Sequence, residues 1–279
     1  MIPIENTVSG IRRALEPHRA HGSVGFVPTM GALHKGHARL IETARENSST
    51  VVVSIFVNAL QFDDPKDYER YQRNLPSDVD IAQNSGAHFV FAPPAGEIYP
   101  EAAQTFVEVH GLTDHFCGAA RPGHFRGVTT VVSKLFHIIQ PDLALFGEKD
   151  AQQLAVIERM VLDLNFPVRV LPVPTVREPD GLAMSSRNAR LSPKERMTAV
   201  CLFEALSCAR DLIVAGERDA RRILLKAGLL LQRPGVHVEY FDLADPKTMQ
   251  PLIAANPPLR IMGAIRIGET RLIDNLICR

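Results

Sequence analysis

The chain has 279 residues, of which 46% are hydrophobic and 22% are charged, a composition typical of a globular protein. Its 31 Lys and Arg residues balance its 31 Asp and Glu residues, so no overall field attracts nucleic acid or an anionic membrane. The length permits one large domain or two smaller ones. We therefore expect a small-molecule substrate, with no nucleic acid and no membrane as partner.

The cysteines bear on the compartment. Cys117, Cys201, Cys208 and Cys278 form no Cys-x-x-Cys pair, which favours reduced thiols of a cytoplasmic protein over a disulfide framework or a zinc site. No basic stretch followed by an apolar core opens the chain, and no apolar run reaches about 18 residues. Neither a signal peptide nor a membrane span is therefore expected.

Short apolar runs that suit buried strands recur along the first part of the chain. They lie at 24–27, 51–57, 88–91, 143–146 and 168–173. Helical patterns lie between them, at the stretch that follows residue 37 and at 77–85, 127–140 and 150–164. Pro141 is expected to end the helix at 127–140. This alternation predicts a Rossmann-like parallel sheet with helices on both faces and ligands at the carboxyl ends of its strands.

After about residue 175 the pattern changes. A helix is predicted over 192–214, with Ser192 as N-cap, Pro193 in its first turn and Glu195 completing a capping box. A helical stretch at 217–232 and strand-like runs at 236–243, 259–267 and 270–274 follow. We expect a nucleotide- and substrate-binding domain over 1–175 and a smaller α+β C-terminal domain over 176–279, which is the candidate lid.

The most informative segment is 28–37, Pro-Thr-Met-Gly-Ala-Leu-His-Lys-Gly-His, which joins the first of these strands to a helix. Free backbone N–H groups and the positive end of the helix dipole meet at such a junction and bind phosphate. His34 and His37 are three residues apart and can face one point. Imidazoles donate to phosphate oxygens and carry protons near neutral pH, so the segment indicates nucleotidyl transfer. The histidine pair alone is equally typical of a solvated helix face or, less often, of a metal site.

Two more segments carry groups that suit a nucleotide. Residues 147–150, Gly-Glu-Lys-Asp, follow a predicted strand; lysine binds phosphate as a mobile point charge, and aspartate in such a loop often binds ribose hydroxyls. Residues 184–188, Met-Ser-Ser-Arg-Asn, supply two hydroxyls and a guanidinium, which are donors for β- and γ-phosphates. Taken alone, each segment is also typical of a polar surface loop.

Together these segments resemble a known family. The His-x-Gly-His pattern after the strand is similar to that of the nucleotidylyltransferase superfamily, which includes class I aminoacyl-tRNA synthetases. Within it, the string at 28–37 and the blocks at 54–58, 121–128, 146–150 and 177–188 resemble the pantoate–beta-alanine ligase family, in the same order. A lone motif is a weak indication, but five ordered blocks are a strong one.

The resemblance implies an ATP-dependent ligase that forms pantoyl adenylate and pyrophosphate, then transfers the pantoyl group to beta-alanine and releases AMP. It further implies Mg²⁺ with ATP, a homodimer and a cytoplasmic location. The residues that it assigns to ATP are Met30, Gly31, His34, His37, Gly147, Glu148, Lys149, Asp150, Val176, Met184, Ser185, Ser186 and Arg187. The catalytic residues among them are His37, His34, Lys149 and Arg187, and His37 is the one that we place at the reacting phosphorus.

The resemblance also assigns residues to pantoate and beta-alanine, namely Asn58, Gln61, Gln153 and Arg121. A neutral amide suits pantoate because its carboxylate must attack phosphorus, and a full cation would stabilise the ground state and slow that attack. Asp78, or Asp80 two residues later, is a candidate magnesium ligand, since this ion needs few protein ligands.

Two other functions remain open from the sequence. The same fold can transfer adenylate to a phosphorylated acceptor, although such an acceptor needs cationic contacts where the chain has Gln61 and Gln153. The alternative of another class is a tRNA-binding module related to the synthetases, which the balanced charge and the lack of an anticodon-binding extension disfavour. The chain departs from the family pattern at three positions, Ala59, Gln72 and Ala151.

Overall fold

The computed structural model describes residues 2–279. Its strands are β1 (Ile4–Glu5), β2 (Val24–Thr29), β3 (Thr50–Ile55), β4 (Phe89–Phe91), β5 (Leu143–Gly147), β6 (Arg169–Val173), β7 (Val236–Ala244), β8 (Leu259–Ile267) and β9 (Thr270–Cys278). Its helices are α1 (Val8–Arg19), α2 (Lys35–Asn47), α3 (Pro65–Glu69), α4 (Leu75–Asn84), α5 (Ala95–Ile98), α6 (Phe116–Ala120), α7 (His124–Ile139), α8 (Ala151–Asp163), α9 (Pro193–Ala199), α10 (Cys201–Val214) and α11 (Ala220–Gly228). Short 3₁₀ helices cover Ala59–Gln61, Glu148–Asp150, Ser186–Arg190 and Leu229–Leu231.

Strands β1 to β6 form one sheet in the order β1-β4-β3-β2-β5-β6, and every neighbouring pair is parallel. β3 and β4 lie on one side of β2, and β5 and β6 on the other. Strand order therefore reverses between β2 and β5, which is the switch point where open α/β sheets bind ligands. The predicted Rossmann-like sheet is confirmed.

Side chains alternate between the two faces of this sheet, and helices cover both. On one face Val27 and Val53 belong to the same buried cluster as Ile41 of α2. On the other face Phe26 contacts Phe136 of α7, with 6.4 Å between ring centroids. Strands buried on both faces read as continuous apolar runs, which is why the sequence marks them so clearly.

The second sheet is antiparallel, in the order β7-β8-β9. Its buried cluster joins Ile261 and Ile265 of β8 to Leu202 and Leu206 of α10 and to Ile223 of α11. This confirms the predicted α+β character of the C-terminal part.

The chain divides into two compact units. The first consists of Met1–Val109, Arg121–Glu148 and Val156–Pro174 and holds the parallel sheet. The second consists of His110–Ala120, Lys149–Ala155 and Thr175–Arg279 and holds the antiparallel sheet. Across residues 2–279 no helix is both long and apolar enough to cross a membrane.

Candidate active site

Asp78 of α4 fixes the loop between β2 and α2 through hydrogen bonds to its backbone. The Asp78 carboxylate accepts the N–H of Ala32 at 3.0 Å and that of Leu33 at 2.7 Å. Gly31, at φ +86°, occupies the left-handed region that glycine adopts without strain, and a Cβ there would lie 2.8 Å from Asp78 Oδ2. The Tyr71 hydroxyl donates to the Gly31 carbonyl at 3.3 Å. An aspartate of the protein therefore occupies N–H groups that the sequence suggests for a bound phosphate.

Burial decides the electrostatics of Asp78. Its residue is 2% exposed, and this burial raises the pKa of Asp78 above its usual range, although the two backbone N–H groups pull it back. A carboxylate with both oxygens engaged by the loop is a structural brace for that loop.

His34 and His37 cap α2 through their rings. His34 Nδ1 accepts the N–H of Gly36 at 3.1 Å, and His37 Nδ1 accepts the N–H of His34 at 3.3 Å, an arrangement usually made by Ser and Glu. A nitrogen that accepts carries no hydrogen, so the neutral form of each ring bears its hydrogen on Nε2. The ring centroids are 4.2 Å apart. The loop thus carries two adjacent imidazole N–H groups, and the backbone N–H groups of residues 32, 33, 34 and 36 donate to protein side chains.

Asn58 and Gln61, which follow β3, form a buried amide network. Asn58 Nδ2 donates to the carbonyl of Gly127 at 3.1 Å and to Gln61 Oε1 at 3.0 Å. The Tyr99 hydroxyl donates to Asn58 Oδ1 at 3.1 Å, and Gln61 Nε2 lies 3.0 Å from Met30 Sδ. The structure therefore brings together three predicted site residues, namely Met30, Asn58 and Gln61.

Arg121 and His124 hold the backbone of Gln61. Arg121 donates to the Gln61 carbonyl at 3.2 Å, to Asp63 at 2.7 Å and to His124 Nε2 at 3.2 Å, and His124 Nδ1 donates to the same carbonyl at 2.7 Å. Partial burial opposes charge on Asp63, but the Arg121 charge and hydrogen bond outweigh it and lower the pKa of Asp63. Arg121, predicted to contact substrate, has its donors directed at protein groups.

Lys149 and Asp150 belong to the second unit and form the 3₁₀ turn that follows β5. Lys149 Nζ lies 3.9 Å from Asp150 Oδ2, and the lysine side chain is 19% exposed. Asn275 Nδ2 donates to the Lys149 carbonyl at 3.0 Å. The backbone of this turn is thereby fixed to β9 of the same unit.

A hairpin in the second unit joins Val176 to Met184, whose N–H donates to the Val176 carbonyl at 3.0 Å. Arg177 anchors it through two bonds to Asp274, at 2.6 and 3.0 Å, and lies over the ring of Phe203 at 4.4 Å. Burial raises the pKa of Asp274, although Arg177 opposes the shift. The hairpin is therefore tied to the core of its own unit.

Three predicted phosphate ligands follow the hairpin, namely Ser185, Ser186 and Arg187. Ser185 Oγ accepts the N–H of Arg187 at 3.2 Å, which makes Ser185 the N-cap of the 3₁₀ helix Ser186–Arg190. Asn188 Nδ2 donates to the carbonyl of Ala183 at 3.1 Å. The two serines and the arginine thus occupy one short turn with a defined start.

In the structure each oxygen of Asp78, the candidate magnesium ligand, accepts one backbone N–H group of the loop. Asp80 is exposed. Within the described residues, 2–279, no three His, Cys, Asp or Glu side chains group so that they could hold a metal ion. Mg²⁺ commonly keeps several waters and bridges substrate phosphates, so an ion bound to ATP needs no such group.

The predicted site residues are divided between the two units. Those in the first unit are Met30, Gly31, His34, His37, Asn58, Gln61, Asp78, Arg121, Gly147 and Glu148. Those in the second unit are Lys149, Asp150, Gln153, Val176, Met184, Ser185, Ser186 and Arg187. Within the first unit, β2 and β5 are parallel neighbours, so Gly147 and the 28–37 loop leave the sheet at the same edge.

Sequence reasoning missed three groups. Tyr99, which binds Asn58, follows the short helix α5, and no sequence signal marks it. Gln152, 3% exposed, binds four backbone groups between residues 112 and 118, and it reads as an ordinary helical polar residue. Gly127 approaches the 3₁₀ turn so closely that a Cβ would lie 2.3 Å from the Leu60 carbonyl oxygen. A glycine inside a helical pattern is the one available signal.

A cavity of about 270 Å³ lies in the first unit at the carboxyl ends of β2, β3 and β4. Apolar side chains, among them Met30 and Phe56, form much of its wall, and Arg73, Asn74 and Asp78 supply its polar part. The cavity therefore lies at the same strand ends as the histidine loop and the amide network.

Fold and site first define a class: a doubly wound α/β protein with two imidazole donors at a strand–helix junction is a nucleotide-binding protein. A family model described as pantoate-beta-alanine ligase matches residues 3–277. The pantothenate synthetase of Heliobacterium modesticaldum is 52% identical over 263 residues, covering 94% of each chain. That of Moorella thermoacetica is 48% identical over 275 residues, covering 97% of this chain and 96% of the relative.

Solved structures agree. The crystal structure of pantothenate synthetase from Thermus thermophilus has a TM-score of 0.94 at 46% identity and covers 99% of both chains. A pantoate-beta-alanine ligase from Francisella tularensis, complexed with beta-gamma ATP and beta-alanine, has a TM-score of 0.82 at 32% identity and covers 99% of this chain and 98% of its own. The chain therefore belongs to the pantoate-beta-alanine ligase family, and its defining activity is the ligation of pantoate and beta-alanine.

Proposed function

We propose that the chain condenses pantoate with beta-alanine in two steps driven by ATP. In the first, a carboxylate oxygen of pantoate attacks the α-phosphorus of ATP, and the bond to the bridging oxygen breaks, which releases pyrophosphate. In the second, the beta-alanine amine attacks the carbonyl carbon of pantoyl adenylate, the bond to the phosphate oxygen breaks, and the amine loses a proton. The products are pantothenate and AMP.

The observation that carries this proposal is the capped histidine pair. Negative charge grows on the phosphate oxygens as the α-phosphorus becomes pentacovalent, and preorganised donors stabilise such charge strongly. The cap bonds at Nδ1 direct the Nε2–H of His34 and His37 away from the helix end. We assign His37 to the pentacovalent centre and His34 to a neighbouring phosphate oxygen.

The second unit supplies further proposed contacts to ATP. Lys149 and Arg187 bring positive charge to the phosphates, and Ser185 and Ser186 bring hydroxyl donors. We assign Asp150 to the ribose, and the backbone near Val176 and Met184, with Gly147 and Glu148 before Lys149, to the nucleoside. These assignments follow the family resemblance.

Pantoate is proposed to bind through Gln61 and Gln153. In support, Oε1 of Gln61 already accepts from Asn58, and its Nε2 lies 3.0 Å from Met30 Sδ, a weak acceptor that a substrate oxygen can replace. Arg121 supports Gln61 by holding its carbonyl. A neutral donor orients the pantoate carboxylate and still leaves it reactive.

The proposal also covers the ion, the assembly and the compartment. Mg²⁺ enters as the complex with ATP, in line with the engagement of both Asp78 oxygens by backbone. A homodimer and a cytoplasmic location follow from the family resemblance, and the four free thiols suit that location. Light scattering of the purified chain tests the dimer directly.

The experiment for the reaction is exchange of labelled pyrophosphate into ATP. Exchange should require pantoate and proceed without beta-alanine. The first step is reversible, so labelled pyrophosphate can re-form ATP, and the second step cannot occur without the amine. His37→Ala should lower the exchange rate by about 10²–10³-fold, the effect of losing one preorganised donor. His21→Ala, which changes an exposed histidine before β2, is the matched control and should exchange normally.

Other outcomes would count against the proposal. Exchange that needs no pantoate would contradict the acyl adenylate, and exchange that needs a phosphorylated acceptor would favour the adenylyltransferase alternative. Normal exchange by the His37→Ala variant would remove His37 from the reaction.

A further inference from the structure

The orientation of the buried amides in the first unit has a consequence for substrate choice. We propose that Tyr99 and the carbonyl of Gly127 set the polarity of the pantoate subsite, so that Gln61 presents hydrogen-bond donors and selects an anionic or hydroxyl oxygen. Tyr99 acts as a positioning residue in this proposal. The inference rests on the proposed assignment of Gln61 to pantoate.

The series of hydrogen bonds that fixes the amides begins at the carbonyl oxygen of Gly127. The Gly127 carbonyl can only accept, so the atom of Asn58 that lies 3.1 Å from it is the amide nitrogen. Oδ1 of Asn58 then faces the Tyr99 hydroxyl, which donates to it at 3.1 Å. Asn58 is 1% exposed. Turning the amide over would set Oδ1 against a carbonyl oxygen in a site that has almost no contact with solvent.

This orientation passes to Gln61. The second hydrogen of Asn58 Nδ2 goes to Gln61 Oε1 at 3.0 Å, so that oxygen is occupied and Nε2 faces the opposite way. There Nε2 lies 3.0 Å from Met30 Sδ, and a thioether sulfur is a weak acceptor. A carboxylate or hydroxyl oxygen would bind the same N–H groups more strongly. An ammonium group at the same point would face the N–H donors of Gln61, so this end of the side chain favours the pantoate oxygens over the beta-alanine amine.

Tyr99 is suited to donate permanently to Asn58 and so to keep the Asn58 amide in one orientation. Its ring lies 6.2 Å from that of Phe56 and under Lys134 Nζ at 5.3 Å, which fixes the side chain. Burial raises the pKa of Tyr99 to about 12, so the hydroxyl keeps its hydrogen throughout the physiological range.

The test is Tyr99→Phe, which keeps the ring and removes the donor. We expect the KM for pantoate to rise about tenfold and the KM for ATP to stay within about twofold, since a lost hydrogen bond of about 1.4 kcal/mol is a factor of ten. Tyr240→Phe is the matched control, because Tyr240 belongs to β7 of the second unit, where its ring packs on Phe116 at 5.6 Å. Both KM values should be unchanged in this control.

A second variant, Gln61→Glu, separates the inference from the proposed function on which it rests. It should raise the KM for pantoate at least as much as Tyr99→Phe does. If Gln61→Glu raised that KM and Tyr99→Phe left it unchanged, the polarity role of Tyr99 would be wrong and the pantoate assignment would stand. If neither variant altered it, both would be wrong. Equal rises in both KM values with a lower Tm for Tyr99→Phe would show a merely structural role and overturn the inference.

Discussion

Polar side chains at the candidate site share one feature. A protein group forms a hydrogen bond with one end of each side chain and thereby fixes which atoms the other end presents. Backbone N–H groups hold Nδ1 of His34 and His37, and Asn58 holds Oε1 of Gln61. The tautomer or amide orientation is therefore set before a ligand binds. Such preorganisation avoids reorientation during the reaction, which is why it lowers a barrier.

Asp78 gives a prediction at this scale. In Asp78→Asn, one of the two accepting oxygens becomes an NH₂ group that opposes the N–H of Ala32 or Leu33. Leaving a buried donor unsatisfied costs about 1–3 kcal/mol, and a loop displaced by about 1 Å can lower a rate by about a hundredfold. We expect adenylate formation to fall by about tenfold to a hundredfold, as measured by pyrophosphate exchange.

Asp80→Asn is the matched control for this variant, because it changes an exposed carboxylate of the same helix and should react normally. Magnesium concentration separates the two roles of Asp78. A brace predicts a defect that stays the same at every Mg²⁺ concentration. Recovery of the Asp78→Asn variant at high Mg²⁺ would instead indicate a metal ligand.

Secondary-structure elements show how far the sequence predicts the fold. β5 and α7 lie within a few residues of their predicted bounds, because strictly apolar runs and a clear helical period mark them. α1 was not predicted: its buried stripe consists of Ile11 and Leu15 alone, and Pro17 lies near its end, where a proline weakens a helix prediction. The strand predicted at 270–274 extends to Cys278, because its pairing with β8 continues through the polar pair Asp274 and Asn275.

The predicted helix over 192–214 is two helices, which meet at Val200. Its start was predicted correctly, because the bonds between Ser192 and Glu195 are local and the capping box is present. At the candidate site, too, local features can be predicted from the sequence and contacts between distant residues cannot. The sequence places His34 and His37 at a helix start, but the partners of their rings depend on backbone geometry, and Asp78 reaches the loop from 45 residues away along the chain.

Two neighbours on α8 give a prediction at the scale of elements. Gln152 Nε2 donates to the carbonyls of Leu112 and His115, at 2.8 and 2.9 Å, so Gln152→Glu sets a carboxylate oxygen against both. The free energy of unfolding should fall by about 1–3 kcal/mol or more. Gln153 is only partly buried, and Gln153→Glu should leave stability nearly unchanged, as urea denaturation of both variants would show.

Gln153→Glu should instead act on pantoate. Two unit charges about 4 Å apart repel by up to about 4 kcal/mol at an effective dielectric near 20, which is up to about a thousandfold in affinity. Pantoyl adenylate has no free carboxylate, so its aminolysis should suffer less than its formation. Equal loss of both half-reactions, or a loss mainly in ATP affinity, would contradict the pantoate role of Gln153.

At the scale of the whole molecule, balanced charge limits the kinds of partner. With 31 basic and 31 acidic residues, affinity for ATP depends on a few local cations, of which Lys149 and Arg187 are the proposed ones. A nucleic-acid ligand would require a basic surface that tracks many phosphates. The adenylyltransferase alternative also requires cations for a phosphorylated acceptor, whereas the side chain of Gln61 is bonded to the neutral amide of Asn58 and the charge of nearby Arg121 is paired with Asp63.

Salt dependence tests this conclusion. Affinity for B-DNA falls with salt roughly as the 0.9 power per phosphate that a cation neutralises. ATP has too few charges to condense counterions in this way, so two cations predict that the KM for ATP rises by less than about tenfold between about 50 and 200 mM salt. A protein that contacts six to ten phosphates would lose about 10³–10⁵ in affinity over the same range. We also expect added tRNA to leave pantothenate formation unchanged at about 50 mM salt, where such binding is strongest. Inhibition by tRNA that disappears steeply as salt rises would instead favour the synthetase-like alternative, since only a ligand with many phosphates produces so steep a dependence.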